Sequence, residues 1–399
     1  MKLIVSQRER LNQRLMFFYF GFGLMALGTR LPELEKNLHV NNGTFGVLMS
    51  LGAIGGVIAF LFVGQLVHRV GVGPVIVVSI VMMYALMAFI PHLHRPWIFG
   101  VVNILCGGFW NAYNIAIHDQ ALKRQLLSGE NALPQLHGAW STGTLLTTVL
   151  AIIITAHTTL AWHIDGLLVP FFILTMFSLS RLRPFLIKGS IDHEDELTVK
   201  ISDILSMLTH DRLIGLAYVC GVMVEFSTND WVTLSSHQEI KASTTLSIVP
   251  YLAFLSAMVV GRLGIHKVLR IKPEAFWIRL GSSVGGSSFI IFLLLAKFVA
   301  PHSFGWAFGL EIAGFAIAGL GGSFMAGVIT QIASERSTFP AGVVVAQLGL
   351  AIAVITMIIK WIVSFVAQTT CITYGLMIPG LMMIALSQFK SLGSKELRV

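Results

Sequence analysis

GQLVHRVGVGP, residues Gly64–Pro74, is a short basic loop between two long apolar runs. A related stretch, GRLGIHKVLRIKP, spans Gly261–Pro273. Both follow the second apolar run of their half of the chain. His68-Arg69 and His266-Lys267 stand 198 residues apart, about half of the 399-residue sequence. The chain therefore reads as two parallel repeats, and the nature of the apolar runs decides the fold.

Composition answers that question. The chain is 55% hydrophobic and 12% charged, with mean hydropathy +0.80. Soluble domains carry about 25% charged residues. Runs near the ~20-residue length that crosses a bilayer account for the deficit. Six such runs lie at 14–36, 43–67, 74–90, 97–121, 135–157 and 163–181. Six more lie at 213–238, 243–265, 275–298, 304–332, 340–366 and 371–389. The expected fold is an all-α membrane protein with twelve transmembrane helices. It divides into a six-helix bundle at 1–181, a cytoplasmic linker at 182–212 and a second bundle at 213–399. Thirty-eight glycines, many inside the runs, let helices approach closely in lipid. Within the charged linker, VKISDILSML at 199–208 has apolar residues at helical spacing and suits a surface helix.

Lysine and arginine orient the chain. With both termini inside, twenty fall on the cytoplasmic side and five outside, with Arg279 and Lys360 inside segments. That bias places both termini in the cytoplasm, at the inner membrane of the cell. The basic N-terminal tail has no small-residue cleavage site and reads as a tail, not a removable signal.

Several function classes lose support. The net charge of +8 is spread over short loops, not gathered in a nucleic-acid-binding patch. Cys106, Cys220 and Cys371 lie in apolar segments without metal-ligand spacing, so no metal or cofactor is expected. No Walker A, GxSxG or HExxH pattern occurs, so neither ATP drive nor an enzyme is expected. Paired six-helix repeats are instead the layout of carriers that hold solute near mid-membrane between rocking halves.

At Gly64, His68, Arg69 and Gly71 the sequence resembles the G-x-x-x-D-R-x-G loop of the major facilitator superfamily, with histidine where the family has aspartate. Arg262, His266 and Lys267 occupy the looser second copy. The resemblance implies that these loops gate alternation. LPQLHGAWSTGTL at 133–145 resembles the helix-five motif of the fucose-permease-like, sugar-transporter-like branch, with Ala139 for an aromatic. VEFSTNDWVTL at 224–234 resembles its helix-seven motif, with Phe226 for a glycine. The residues at 29–56 are similar to its helix one–two junction.

Chemistry concentrates in a few apolar segments. Glu225 lies about twelve residues into the seventh, roughly 18 Å deep at ~1.5 Å per residue. An ionised, unpaired acid there costs roughly 2.5–3.5 kcal/mol, so Glu225 is the first candidate to carry a proton. Asp119 is a second candidate or a loop-facing charge. Asp230 and Trp231 follow; the indole suits either sugar stacking or the membrane interface. Asn111, Asn114, His137, Trp140 and Gln347 are further candidates for a polar solute, with helix-to-helix bonding as the plain alternative. Glu311 and Lys360 sit at similar outer depth with opposite charge, so a gating pair between them is expected. Arg30, Glu33 and Glu35 are expected to reach out to the interface.

The expected function is proton-coupled transport of a small polar solute, such as a sugar or polyol, by a monomer. An efflux pump for amphipathic compounds and a non-transporting membrane sensor are the alternatives.

Overall fold

The structure, a computed structural model, describes residues 6–128, 133–186, 212–268, 270–337 and 341–389. The expected surface helix at 199–208 lies outside these residues, as do the side chains of His68, His266 and Lys267. Among the described residues the regular structure is helical throughout. The first half contains α1 (Gln7–Gly28), α2 (Leu31–Leu38), α3 (Asn42–Ser50), α4 (Gly52–Val70), α5 (Val72–Phe89), α6 (Pro96–Ser128), α7 (Leu133–Ile154) and α8 (Leu160–Leu182). The second contains α9 (Arg212–Gln238), α10 (Val249–Val268), α11 (Glu274–Val299), α12 (Phe304–Gly322), α13 (Met325–Arg336), α14 (Ala341–Thr369) and α15 (Ile372–Leu386).

Each of the twelve apolar runs holds a helix or a broken pair of helices. The first, second and tenth runs are the broken ones. Pro32, in the first turn of α2, has no N–H to continue the ladder from α1. Nine of the described helices are long and apolar enough to cross a bilayer, and the bent α1–α2 pair makes a tenth. α15 is apolar but has only 15 residues. α9, at 27 residues, is long enough but too polar to be among them. The chain is an integral, multi-pass, all-α membrane protein.

Packing groups the chain into two compact units: Met1–Val40 with Leu51–Thr198, and Asn41–Ser50 with Val199–Val399. In the second unit α3 is bonded to α9 and α14. Asn42 Nδ2 donates to Gln238 Oε1 at 2.9 Å, Gly43 N donates to Gln368 Oε1 at 3.1 Å, and the Trp361 indole donates to Ser50 Oγ.

The internal repeat is written into the backbone. Among the described residues, two non-glycine residues have positive φ: His39 at 52° and Lys241 at 63°. Each lies just beyond the first span of its half. Two residues later, Asn41 Oδ1 accepts from Thr44 N at 2.8 Å and Ser243 Oγ accepts from Leu246 N at 3.3 Å. The same turn thus starts the second span of each half.

Glycine sets the tightest helix crossing of the first unit. A Cβ on Gly55 would stand 1.9 Å from Ile104 O, and one on Gly107 would stand 2.1 Å from Gly52 O. α4 and α6 therefore meet backbone to backbone. In the second unit, a Cβ on Gly319 of α12 would stand 2.4 Å from Phe254 O of α10. Between α4 and α5, Gly71 adopts φ 86° and ψ 157°, a region that is essentially glycine-only, and its N–H caps α4 at Val67 O.

Arg30 departs from expectation. It is 0% exposed and does not reach the interface. Its guanidinium donates to both Glu33 oxygens, to Thr158 O at 3.0 Å, and to His163 Nδ1 at 2.8 Å. The break between α1 and α2 turns this side chain inward against the start of α8. A guanidinium only donates, so His163 must accept through Nδ1 and is neutral there.

Candidate functional site

α9 is the polar hub of the second unit, and several of its polar side chains bond to other helices. Nearest the N-terminal end of α9, Glu225 accepts from Arg262 Nη2 of α10 through both oxygens, each at 3.3 Å. Arg262 Nε also donates to Ser323 O at 3.0 Å. Ser323 lies at the break between α12 and α13, where the helix ladder is interrupted and a carbonyl needs a donor. The acid and base expected at separate functions therefore form one ion pair. Its side chains are 29% and 39% exposed, so neither is sealed inside the protein.

Further along α9, Asn229 Oδ1 accepts from Tyr251 Oη of α10 at 3.0 Å. Asp230 forms an ion pair with Lys360 of α14 at 2.7 Å, with side chains 15% and 17% exposed. Trp231 is buried against Gly46 of α3. Past Asp230, Ser235 and Ser236 donate to Glu311 of α12 at 3.3 and 2.9 Å. Just beyond α9, Glu239 accepts from Lys297 of α11, from Ile372 N at 2.8 Å and from Thr373 Oγ1 at 3.2 Å. Its carboxylate thereby caps the N-terminus of α15, where negative charge is favoured.

This network overturns the expected pair between Glu311 and Lys360. Lys360 belongs to Asp230, and Glu311 belongs to two serines. Similar distance from the helix ends gave the two residues similar depth. It left open which way each helix face turns, and both faces turn toward α9. Gln347 is buried on α14.

The first unit gathers a different set. His118 Nδ1 bonds to Asn114 O at 2.9 Å, leaving its Nε2 at 3.4 Å from His137 Nε2. The His137 ring stacks on Trp140 at 5.7 Å, and Phe17 stands edge-on to both imidazoles. Phe20 joins Trp110 at 4.5 Å and Trp140 at 5.0 Å. Asn111 spends its Nδ2 on Gly107 O at 2.9 Å, within its own helix. Asn114 Oδ1 is buried without a hydrogen bond among the described residues. Asn114, His137 and Trp140 are thus brought together, with His118 as the link. Asp119 pairs with Lys123 one turn on, at 2.8 Å.

Sequence reading missed three features. Glu9 and Arg124 form a buried pair joining α1 to α6. Ser235 and Ser236 look like ordinary small residues until Glu311 is seen opposite them. Glu239 with Lys297 links two loop-end charges 58 positions apart. In the gating loop Arg69 is exposed, and a Cβ at Gly64 would meet nothing within 4 Å.

A membrane bundle with paired helix repeats and ion pairs inside its spans has the form of a secondary carrier. The Major Facilitator Superfamily model matches residues 15–337, and the chain belongs to that family. It is 22% identical over 344 residues to an uncharacterised transporter of Sinorhizobium fredii, covering 84% of each chain. It is 21% identical over 342 residues to an uncharacterised MFS-type transporter of Yersinia pestis, covering 85% of this chain and 84% of that one. A shorter stretch of 92 residues is 33% identical to a gentisate transporter of Corynebacterium glutamicum, covering 22% and 20% of the two chains. Among solved structures, a D-xylose-proton symporter matches with TM-score 0.74 at 14% identity, covering 96% of both chains. A nucleoside transporter matches with TM-score 0.67 at 12% identity, covering 97% of this chain and 99% of that one.

Proposed function

We propose that the protein moves a small polar solute, of the sugar or polyol class, across the cytoplasmic membrane by alternating access coupled to protons. The observation that carries this reading is the Glu225–Arg262 pair: a partly exposed acid–base pair between α9 and α10, tied to a helix break at Ser323. Protonating Glu225 neutralises one partner and releases Arg262 from it. The break between α12 and α13 then loses one of its tethers. A proton is in this way converted into a change of helix packing.

The fucose-permease-like branch supports the solute class through the motifs at 133–145 and 224–234. The lysine and arginine distribution supports an inner-membrane protein with both termini in the cytoplasm, and the reading takes the monomer as the working unit. A second solute class, an aromatic acid, is favoured by the stretch shared with the gentisate transporter and by the imidazole–indole cluster around His137 and Trp140.

The test is uptake by purified protein in liposomes, with and without an inward proton gradient, against D-xylose, a nucleoside and gentisate. Gradient-driven accumulation of a sugar or nucleoside supports the first reading, and accumulation of gentisate alone supports the second. Saturable binding without any counterflow would overturn transport in favour of a sensor.

A further inference from the structure

Four acids carried by α9, α12 and the turn after α9 lie in the second unit, and three of them have a cation. Glu225 faces Arg262, Asp230 faces Lys360 and Glu239 faces Lys297. Glu311 is 0% exposed, and its hydrogen bonds come from the hydroxyls of Ser235 and Ser236. Among the described residues it forms no ion pair. One turn before it, Ala307 packs into an apolar cluster with Ile240 and Ala296. The charged or titratable groups facing it are few. Among the described residues Glu239, in the turn after α9, is the one that acts on it; Asp230 and His237 flank the two serines along α9, and Lys297 and Lys360 are the partners of Glu239 and Asp230. The cations are engaged with Asp230 and Glu239, His237 Nδ1 is tied to Ala242 O at 2.9 Å, and the Glu239 carboxylate acts on Glu311 as a like charge.

A carboxylate in that position would be a buried charge with no counter-charge beside a second negative group. A neutral carboxylic acid fits instead: one oxygen donates its proton to a serine hydroxyl and the other accepts. We infer that Glu311 is a proton-binding site of the second unit, holding its proton as the neutral acid and exchanging it with the outer solution through Ser235 and Ser236. The route is short. The residues directly after the serines, His237, Gln238 and Glu239, line an open polar depression of about 670 Å³ with Asn42, Lys241 and Gln368. This inference deepens the proton-coupled reading and rests on it for its purpose. The protonation of Glu311 can be measured without any solute.

The experiment is an infrared difference titration of the full-length protein in membranes, reading the carbonyl stretch of protonated carboxylic acids. Wild type should show an acid band at neutral pH that Glu311→Gln removes and Glu225→Gln retains. Exchange of the medium to D₂O should shift that band within the measurement. Should Glu311→Gln fold poorly, Ser236→Ala serves: removing one hydroxyl should move the band while the fold is kept. A spectrum unchanged by both variants would overturn the assignment, because Glu311 would then be ionised. A band that Glu311 owns but that does not shift in D₂O would also overturn it, since the acid would then be sealed and merely structural. Failure of proton-coupled transport would appear separately, as absence of gradient-driven uptake in liposomes with the infrared band intact.

Discussion

The Asp230–Lys360 pair offers a quantitative test of how the second unit is held. The two groups stand 2.7 Å apart and are at most 17% exposed. At an effective dielectric constant of about 20 their attraction is about 6 kcal/mol before desolvation is charged against it. Removing one partner of a buried pair costs about 3–5 kcal/mol, because the other charge is left alone. The cost of one isolated charge inside a spanning helix, roughly 2.5–3.5 kcal/mol on insertion scales, gives the same size. Asp230→Asn and Lys360→Met should therefore each lower stability by about 3 kcal/mol. At about 2–4 °C per kcal/mol for a unit of some 200 residues, the melting temperature falls by about 6–12 °C. The double variant leaves no charge behind and should recover most of that loss. Thermal unfolding in detergent, followed by tryptophan fluorescence, measures all three. A control with Glu311→Gln added to Lys360→Met should be additive, because those two residues do not pair. Single variants within about 1 °C of wild type, or a double variant no better than the worse single, would refute the reasoning.

Three shorter predictions follow from the same geometry. Gly55→Leu forces α4 away from Ile104 O, where a Cβ would stand 1.9 Å away; overpacking of this kind costs about 1–3 kcal/mol or more, read as lost monodisperse yield. Gly71→Ala places a side chain at φ 86°, so it should cost about 1–3 kcal/mol, measured as a lower melting temperature. Arg30→Met removes a buried guanidinium and its hydrogen bonds to Glu33, Thr158 and His163, and should cost about 1–3 kcal/mol by the same assay.

The helical membrane fold was legible in the sequence because lipid imposes a length and an apolar composition on its spans. The twelve runs, their polarity and the basic loops after the second and eighth helices needed no coordinates. Glu225 was also legible as a residue, since charge in a membrane helix stands out, and Arg262 was named through its place in the second copy of the gating loop. Their pairing was not, because it depends on the rotation of α9 and α10 about their own axes. The same missing rotation produced the wrong partner for Lys360. Arg30 was misread for a different reason: the sequence places it at a helix end, where arginines commonly extend outward. The break before Pro32 folds it inward. The hydroxyl pair opposite Glu311 had no sequence signal of its own, since serine is common wherever membrane helices lie close.

The central claim is that Glu225 converts a proton into a change of helix packing through Arg262. Its most direct test compares driven and exchange flux of an accepted solute in liposomes for wild type and Glu225→Gln. The glutamine is isosteric and uncharged, so it mimics the acid that keeps its proton. The account predicts that accumulation driven by the proton gradient is lost while solute exchange persists. Driven accumulation at the wild-type rate in Glu225→Gln would contradict it.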